Sequence, residues 1–207
     1  MTYKLHCFAQ SGNAYKAALY LELAGADWQP VFVNFFEGQH RSADYLEKND
    51  MGQVPLLEHE GRSISQSAVI LDYVSEREGK FRWANEDERL EVFRWLFWDN
   101  YSFTSIVAPL RFIGHFMPED KRDPAVLGFL QSRLKGALKT LDQRLSGRDF
   151  VATPGLSIAD LSICGYLYYG EELPFDLGAY PNIVAWLDRI KAMPGWKAPY
   201  DLMPKSA

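Results

Sequence analysis

The chain has 207 residues, 47% of them hydrophobic and 14% aromatic, so it can bury a sizeable core as one domain or two small ones. Its 27 acidic residues exceed its 22 Lys and Arg residues, which gives a net charge of -5; without a basic run, this excludes a nucleic-acid partner. No apolar run approaches the roughly 18 residues of a membrane helix, and no signal peptide is present, so we expect a cytoplasmic protein with no membrane partner.

Strands and helices alternate in the first third of the chain. The patterns predict a strand over residues 3–8, a helix over 13–24 that ends before Gly25, a strand over 28–35 and a short helix over 43–48. Two short strands, one at Leu56 and Leu57 and one over 62–64, precede a helix over 67–75. This βαβαββα order predicts an α/β, thioredoxin-like domain over residues 1–76.

The rest of the chain reads as helical. A charged segment over 77–86 is a predicted linker, and an all-α domain should follow over 87–207. Its first helix is predicted to end at Pro109, and a second, with leucines at helical spacing, should begin at Pro124 and end before Gly147. Ser157 and Asp160 form a capping box, and the last clear helix should end before a Pro-rich tail that begins at residue 194.

Residues 53–71 suggest a binding place for a small anionic peptide. Pro55 at the start of a strand leaves the backbone of Val54 available to pair with an extended ligand. The following helix begins near Gln66 and Ser67, and its N–H groups suit a carboxylate. An ordinary strand start and helix cap would give the same residues, and the sequence leaves the isomer of the Val54–Pro55 bond open.

Three motifs in this order resemble the cytosolic glutathione S-transferases over nearly the whole chain. They are Ser11 at the first strand-to-helix turn, Gln53-Val54-Pro55 followed by Gln66-Ser67, and Ser157-x-x-Asp160. The resemblance points to a bacterial, serine-type member with zeta- and nu-like features. It implies a cytoplasmic homodimer with a role in detoxification, with glutathione as co-substrate, an apolar electrophile as the second substrate and no metal. The four His and two Cys show no metal-ligand spacing either.

The resemblance also implies how the thiol of glutathione is activated. A thiol is mostly protonated at neutral pH, and a hydroxyl donor at a helix N-terminus favours the thiolate. Ser11 occupies the position of the family's hydroxyl, and the side-chain amide of Asn13 competes with it for this role. Positions 9–14 contain neither Cys nor Tyr, which argues against thiol-disulfide exchange and against the tyrosine-using classes.

The remaining contacts to the tripeptide follow from the same resemblance. Gln66 and Ser67 would hold the γ-glutamyl end, Val54 would pair with the cysteinyl backbone, and Gln53 would assist. Either Gln39 or His40 would reach the glycine carboxylate.

The electrophile site is expected on the helical half, where aromatic residues crowd the first helix. Its predicted lining consists of Tyr101, Arg111, Phe112 and His115. Asp99 is expected to contact the glutathione amine of a neighbouring subunit. Two other functions stay open: a non-catalytic binding or regulatory protein with the same fold, and a glutathione-dependent isomerase.

Overall fold

The computed structural model describes residues 2–173 and 175–206, which form two compact units. One unit comprises the described residues of Met1–Arg82 and Met193–Ala207, and the other those of Trp83–Ala192. The first unit contains the whole sheet, and the second is helical. The predicted fold class, a thioredoxin-like domain followed by helices, is confirmed.

The first unit is built on a four-stranded mixed sheet. Its strands are β1 (Tyr3–Cys7), β2 (Trp28–Phe32), β3 (Leu56–His59) and β4 (Arg62–Ser65). Their order is β2-β1-β3-β4, with β1 parallel to β2 and antiparallel to β3, and with β3 antiparallel to β4. The edge strand β2 is shorter than predicted and carries an exposed proline, Pro30.

Three helices of this unit alternate with the strands: α1 (Gly12–Ala24), α2 (Ala43–Lys48) and α3 (Ser67–Glu78). Ser11 and Ser42 cap α1 and α2 with their hydroxyl oxygens, which accept backbone N–H bonds that the helix cannot satisfy itself. The helices α1 and α3 both end before a glycine with positive φ, Gly25 and Gly79. Most of α1 is buried, which agrees with its run of Ala, Leu and Tyr.

The second unit begins with a long helical stretch that does not end at Pro109. It consists of α4 (Glu86–Trp98), a π-helical turn over Asp99–Thr104, α5 (Ser105–Arg111) and a second π-helical turn over Phe112–Phe116. The predicted end at Pro109 is therefore wrong. A proline removes one backbone donor and crowds the preceding turn, and the wider π-helical turns on both sides of α5 let the chain continue past it.

Three further helices of the second unit are α6 (Pro124–Leu145), α7 (Ile158–Cys164) and α8 (Pro181–Lys191). The capping box at the start of α7 is buried, and the carboxylate of Asp160 also binds groups outside this helix. Asp160 accepts bonds from the N–H and the hydroxyl of Ser157, at 3.0 and 2.7 Å. It also accepts from Val151 N at 2.7 Å and from Trp186 Nε1 at 3.0 Å. One carboxylate therefore ties a loop and α8 to the start of α7.

The tail after α8 lies in the first unit, whereas the prediction placed it in the helical domain over 87–207. It contains α9 (Pro199–Leu202), and Pro204 O accepts a bond from Ala9 N at 2.9 Å. Leu202 and Met203 are buried there. A Pro-rich segment carries no helical pattern, so its membership of a unit is decided by these tertiary contacts alone.

Both cysteines are buried, and burial raises the pKa of Cys7 to about 12. Within residues 2–173 and 175–206, no cluster of three or more His, Cys, Asp or Glu could hold a metal ion. None of the helices described here is long and apolar enough to span a bilayer.

Glu91 on α4 is the centre of an ion-pair network in the second unit. Arg94 and Arg144 both contact its Oε1, at 2.6 and 2.5 Å, and Trp95 Nε1 donates to the same oxygen at 3.1 Å. Arg144 also donates to Val151 O at 2.8 Å, so the network joins α4, α6 and the loop before α7. The hydrogen bond from Arg94, aided by Trp95 and the two arginine charges, lowers the pKa of Glu91 to about 2.

We expect Glu91→Gln to destabilise the protein at pH 7 by about 1–2 kcal/mol, since the pair with Arg144 is only partly exposed to solvent. A carboxyl whose pKa is lowered on folding stabilises the folded protein above its ordinary value of 4.5 and loses that contribution as the pH falls towards 2. Urea denaturation midpoints measured from pH 7 to 3 should therefore converge for wild type and variant.

Glu86→Gln is the matched control for this change. Glu86 forms the same i,i+3 pair with Arg89 one turn earlier on α4, but its side chain is 66% exposed. The variant should leave the midpoint close to that of wild type throughout. An equal effect of both substitutions would show that the tertiary pair to Arg144 contributes nothing.

Candidate functional site

Ser11 lies in the turn between β1 and α1, and Asn13 is the second residue of α1. The Ser11 hydroxyl oxygen accepts a bond from Ala14 N at 3.1 Å, and Ser11 N donates to Phe8 O at 3.0 Å. Among the described residues, no protein group accepts the hydroxyl proton of Ser11, which can therefore be donated to a ligand. The side-chain oxygen of Asn13 is a buried acceptor to which no described protein group donates.

The backbone of Val54, which the sequence analysis expects to pair with a ligand, has no partner among the described residues. The Val54–Pro55 peptide bond is cis. Within the described part of the chain, no protein group bonds the N–H or the C=O of Val54, while its side chain packs against Val33, Tyr45 and Leu56. An extended peptide could thus pair with this residue as an added strand.

Two residues that the sequence analysis missed hold this segment in place. Tyr45 Oη and Asn49 Nδ2 both donate to Gln53 O, at 2.8 and 2.7 Å, and so fix the peptide unit that joins Gln53 to Val54. Burial raises the pKa of Tyr45 to about 12, so its hydroxyl remains a donor at neutral pH. The only signal in the sequence was a polar residue, Asn49, at the end of a short helix.

Gln53 and Gln66 are brought together by the structure. Gln66 Nε2 donates to Gln53 Oε1 and also approaches Met51 Sδ, at 2.9 Å in each case. With its donors directed at these two partners, Gln66 keeps its amide oxygen as an acceptor, and Gln53 keeps its amide nitrogen as a donor.

Gln66 also has an unusual backbone. Its φ of 68° and ψ of 116° belong to a region that residues with a side chain rarely adopt, at a cost of about 1–3 kcal/mol. Such strain is concentrated at ligand sites in proteins. Ser67 follows as the first residue of α3 and is buried, at the positive end of a twelve-residue helix.

Gln39 and His40 lie on a single turn of 3-10 helix, Gln39–Arg41, before α2. Gln39 Oε1 accepts from Asn34 N at 2.7 Å, which leaves the amide nitrogen as the donor of this side chain. His40 stacks on Phe35, with ring centroids 4.2 Å apart. Burial and the neighbouring charge of Arg41 lower the pKa of His40, so the ring is neutral at pH 7.

The four residues predicted to line an electrophile site differ in exposure. Tyr101, Phe112 and His115 are exposed. Arg111 is buried, forms an ion pair with Glu172, and lies 3.8 Å from the ring centroid of Tyr169. Its charge is therefore already neutralised within the second unit.

The expectation for Asp99 is wrong. Its side chain is fully buried, and it accepts bonds from Thr104 Oγ1 at 2.7 Å and from Ser162 Oγ at 2.5 Å. Asp99 follows the buried Trp95 and Leu96 by four and three residues, so helical spacing places it on the buried face of α4, where it cannot reach a ligand of a neighbouring subunit.

Comparison with known proteins identifies relatives for both halves of the chain. Residues 1–76 match the family model described as "Glutathione S-transferase, N-terminal domain", and residues 106–194 match "Glutathione S-transferase, C-terminal domain". The crystal structure of a possible glutathione S-transferase from Rhodopseudomonas palustris shares 32% identity, covers 99% of this chain and 92% of its own, and superimposes with a TM-score of 0.89.

Two other relatives are similar over almost the whole length. The probable glutathione S-transferase GSTF1 of Oryza sativa subsp. japonica is 28% identical over 91% of each chain. The structure of glutathione S-transferase-I bound with the ligand lactoylglutathione is also 28% identical, with a TM-score of 0.82 over 93% of this chain and 95% of that one.

The two hydrogen bonds from Tyr45 and Asn49 to Gln53 O, which we call the clamp, give a testable prediction. Asn49→Asp replaces the donor to Gln53 O by an acceptor, so the backbone of Val54 should lose its fixed orientation. We expect the affinity for the tripeptide glutathione to fall by about 1–2 kcal/mol, which is roughly 5–30-fold in Kd, in calorimetric titrations.

Asn100→Asp is the control for this prediction. Asn100 Nδ2 also donates to a backbone carbonyl, Leu96 O at 2.8 Å, but it lies in the helical unit. Its variant should bind the tripeptide as wild type does. A folded Asn49→Asp protein with unchanged affinity would rule out a role for the clamp in ligand binding.

Proposed function

The chain belongs to the glutathione S-transferase family, and we propose that it is an enzyme that ionises the thiol of glutathione and adds the sulfur to an apolar electrophile. The observation that carries the proposal is the Ser11 hydroxyl, which caps α1 through its oxygen and keeps its proton for a ligand. Capping by an acceptor lone pair orients the O–H group, and the N-terminus of α1 favours an anion beside it.

The proposed reaction needs no oxidant and no metal. The thiol proton passes to solvent, and Ser11 donates a hydrogen bond to the thiolate that remains. With an aromatic chloro-nitro acceptor, the sulfur forms a bond to the ring carbon, and chloride leaves with the electron pair of the carbon-chlorine bond.

The thioredoxin-like unit would hold glutathione, and the free groups found on it support this assignment. The unpaired backbone of Val54 suits the cysteinyl residue, and the N-terminus of α3 with Ser67 suits the γ-glutamyl carboxylate. Gln53 and Gln66 present one donor and one acceptor to that end, and Gln39 or His40 would meet the glycine carboxylate.

Ser11, rather than Asn13, is our proposal for the thiolate donor. The side-chain oxygen of Asn13 is a buried acceptor, so only the amide nitrogen of Asn13 could compete, whereas the Ser11 hydroxyl is oriented by the cap bond from Ala14 N. The helical unit would carry the electrophile site, where Tyr101, Phe112 and His115 offer exposed rings and the ion-paired Arg111 supports the loop of Tyr169.

Ser11→Ala is the direct test of this function. We expect kcat/KM with a chloro-nitro acceptor to fall about 10–100-fold, because loss of the hydrogen bond raises the pKa of the bound thiol by about 1–2 units. Ultraviolet titration of the thiolate in the complex measures that pKa. The affinity for glutathione should change little, since the other contacts remain.

Two controls separate chemistry from helix capping. Ser11→Thr keeps a hydroxyl and should retain most activity, whereas Asn85→Ala removes a comparable cap from α4, where Asn85 Oδ1 accepts from Glu88 N at 3.0 Å. Wild-type protein that binds glutathione without forming thiolate or turning over acceptor would instead support a binding or regulatory module. Turnover of a cis-trans isomerisation substrate alone would support the isomerase.

We also propose that the enzyme is a cytoplasmic homodimer active in detoxification, and that one face of α4 forms the subunit contact. The side chains of Leu90 and Phe97 lie seven residues, or two helical turns, apart on α4, and they are 56% and 71% exposed. A row of exposed apolar groups of this kind marks an interaction site.

Phe97→Glu should therefore convert the dimer into a monomer in sedimentation experiments, because it places a charge in the middle of an apolar contact. Phe129→Glu is the matched control, since Phe129 is 62% exposed but lies on a different helix, α6. Wild-type protein that sediments as a monomer would contradict the proposed assembly.

A further inference from the structure

We propose that residues 193–206, which we call the strap, position the turn that carries Ser11 and thereby set the acidity of the bound thiol. The proposal rests on the function proposed above. It assigns a positioning role to a segment far from Ser11 in sequence, and it is carried by contacts within the first unit.

The decisive contact is a backbone hydrogen bond two residues before Ser11. Ala9 N donates to Pro204 O at 2.9 Å, and Ala9 is fully buried. A buried N–H must have a partner, and no strand lies beside Ala9 to provide one, because β1 ends at Cys7. The strap thus supplies the acceptor where the sheet stops.

The strap is also attached to α1 at two points. Tyr15 Oη donates to Lys197 O at 2.7 Å, and Lys197 Nζ pairs with Glu22 Oε1 at 2.6 Å. Gly195, with a φ of 88°, brings the strap so close that an added Cβ would lie 3.4 Å from Glu22 O. Bonds to Tyr15 and Glu22 hold the strap along most of the length of α1.

Apolar burial fixes the part of the strap that approaches the turn. The short helix α9 begins at Pro199 and ends at Leu202, and Leu202 and Met203 are only 8% and 4% exposed. These two side chains anchor the residue that follows them, Pro204, at Ala9. The carbonyl position is therefore set by packing and not by the single hydrogen bond.

The consequence for Ser11 is geometric. Ser11 N donates to Phe8 O across Ala9 and Gln10, so a shift of Ala9 moves both ends of this turn. A donor to a thiolate acts only within roughly 0.5 Å of its best position. We infer that the strap keeps the Ser11 hydroxyl aligned with the thiol, while the contacts that bind the rest of glutathione lie elsewhere in the unit.

A pair of shortened chains tests the inference. One ends at Met203 and lacks the carbonyl that Ala9 uses, and the control ends at Lys205 and keeps it along with the Lys205 contact to Tyr200. The pKa of the bound thiol is measured by ultraviolet titration, together with kcat and KM for glutathione across pH. Urea midpoints confirm that both chains are folded.

We expect the chain ending at Met203 to raise the pKa of the bound thiol by about one unit, which lowers kcat/KM about tenfold at pH 6.5 and restores it at higher pH. The KM for glutathione should stay within about twofold of the control. Equal thiol titrations in the two folded chains would overturn the role of the strap.

Tyr15→Phe provides a second measurement should the shorter chain not fold. It removes the hydroxyl bonded to Lys197 O and keeps the buried ring, so a smaller shift in the same direction is expected. An unchanged thiol titration in this variant overturns the proposal. Absence of thiolate in the wild type is a different result, because it refutes the proposed function itself along with the role of the strap.

Discussion

The hydrogen bond from Ala14 N to the Ser11 hydroxyl is the interaction on which the proposed chemistry depends. It satisfies an orphan donor of α1 and, in the same geometry, leaves the hydroxyl proton at the positive end of a buried helix. A residue chosen only for capping could be Asp or Asn as readily as Ser. A hydroxyl can accept the cap bond and donate to an anion through the same oxygen atom, so the local folding requirement and the proposed catalytic one coincide in this side chain.

The candidate site depends on a second set of polar groups, which hold the backbone at Gln53 and at Ala9 in place. Tyr45 and Asn49 bind Gln53 O, and the strap binds Ala9 N. Each uses a backbone carbonyl or N–H at the end of a regular element, where no ladder or helix supplies a partner. The candidate site is thus built where the sheet and the helices leave backbone groups unpaired, and its geometry depends on the groups that bind Gln53 O and Ala9 N.

Local patterns in the sequence sufficed for elements whose ends carry their own signals. The caps at Ser11 and Asn85, the glycine that ends α1 and the buried capping box at Ser157 all act through neighbouring residues, and all were predictable. The passage of helix through Pro109 and the strained backbone of Gln66 depend on π-helical turns or on tertiary contacts, which spacing does not encode. The buried position of Asp99, in contrast, follows from its spacing to Trp95 and Leu96. The place of the strap in the first unit likewise depends on tertiary contacts, which its sequence pattern does not encode.

The edge strand β2 carries one more physical consequence. Pro30 has no N–H, and it lies in the middle of this five-residue strand, paired in register with Leu5. An incoming strand from another molecule would find the row of donors interrupted halfway along, which discourages sheet-to-sheet polymerisation at this side. Pro30 therefore protects an exposed edge of the sheet against the addition of further strands.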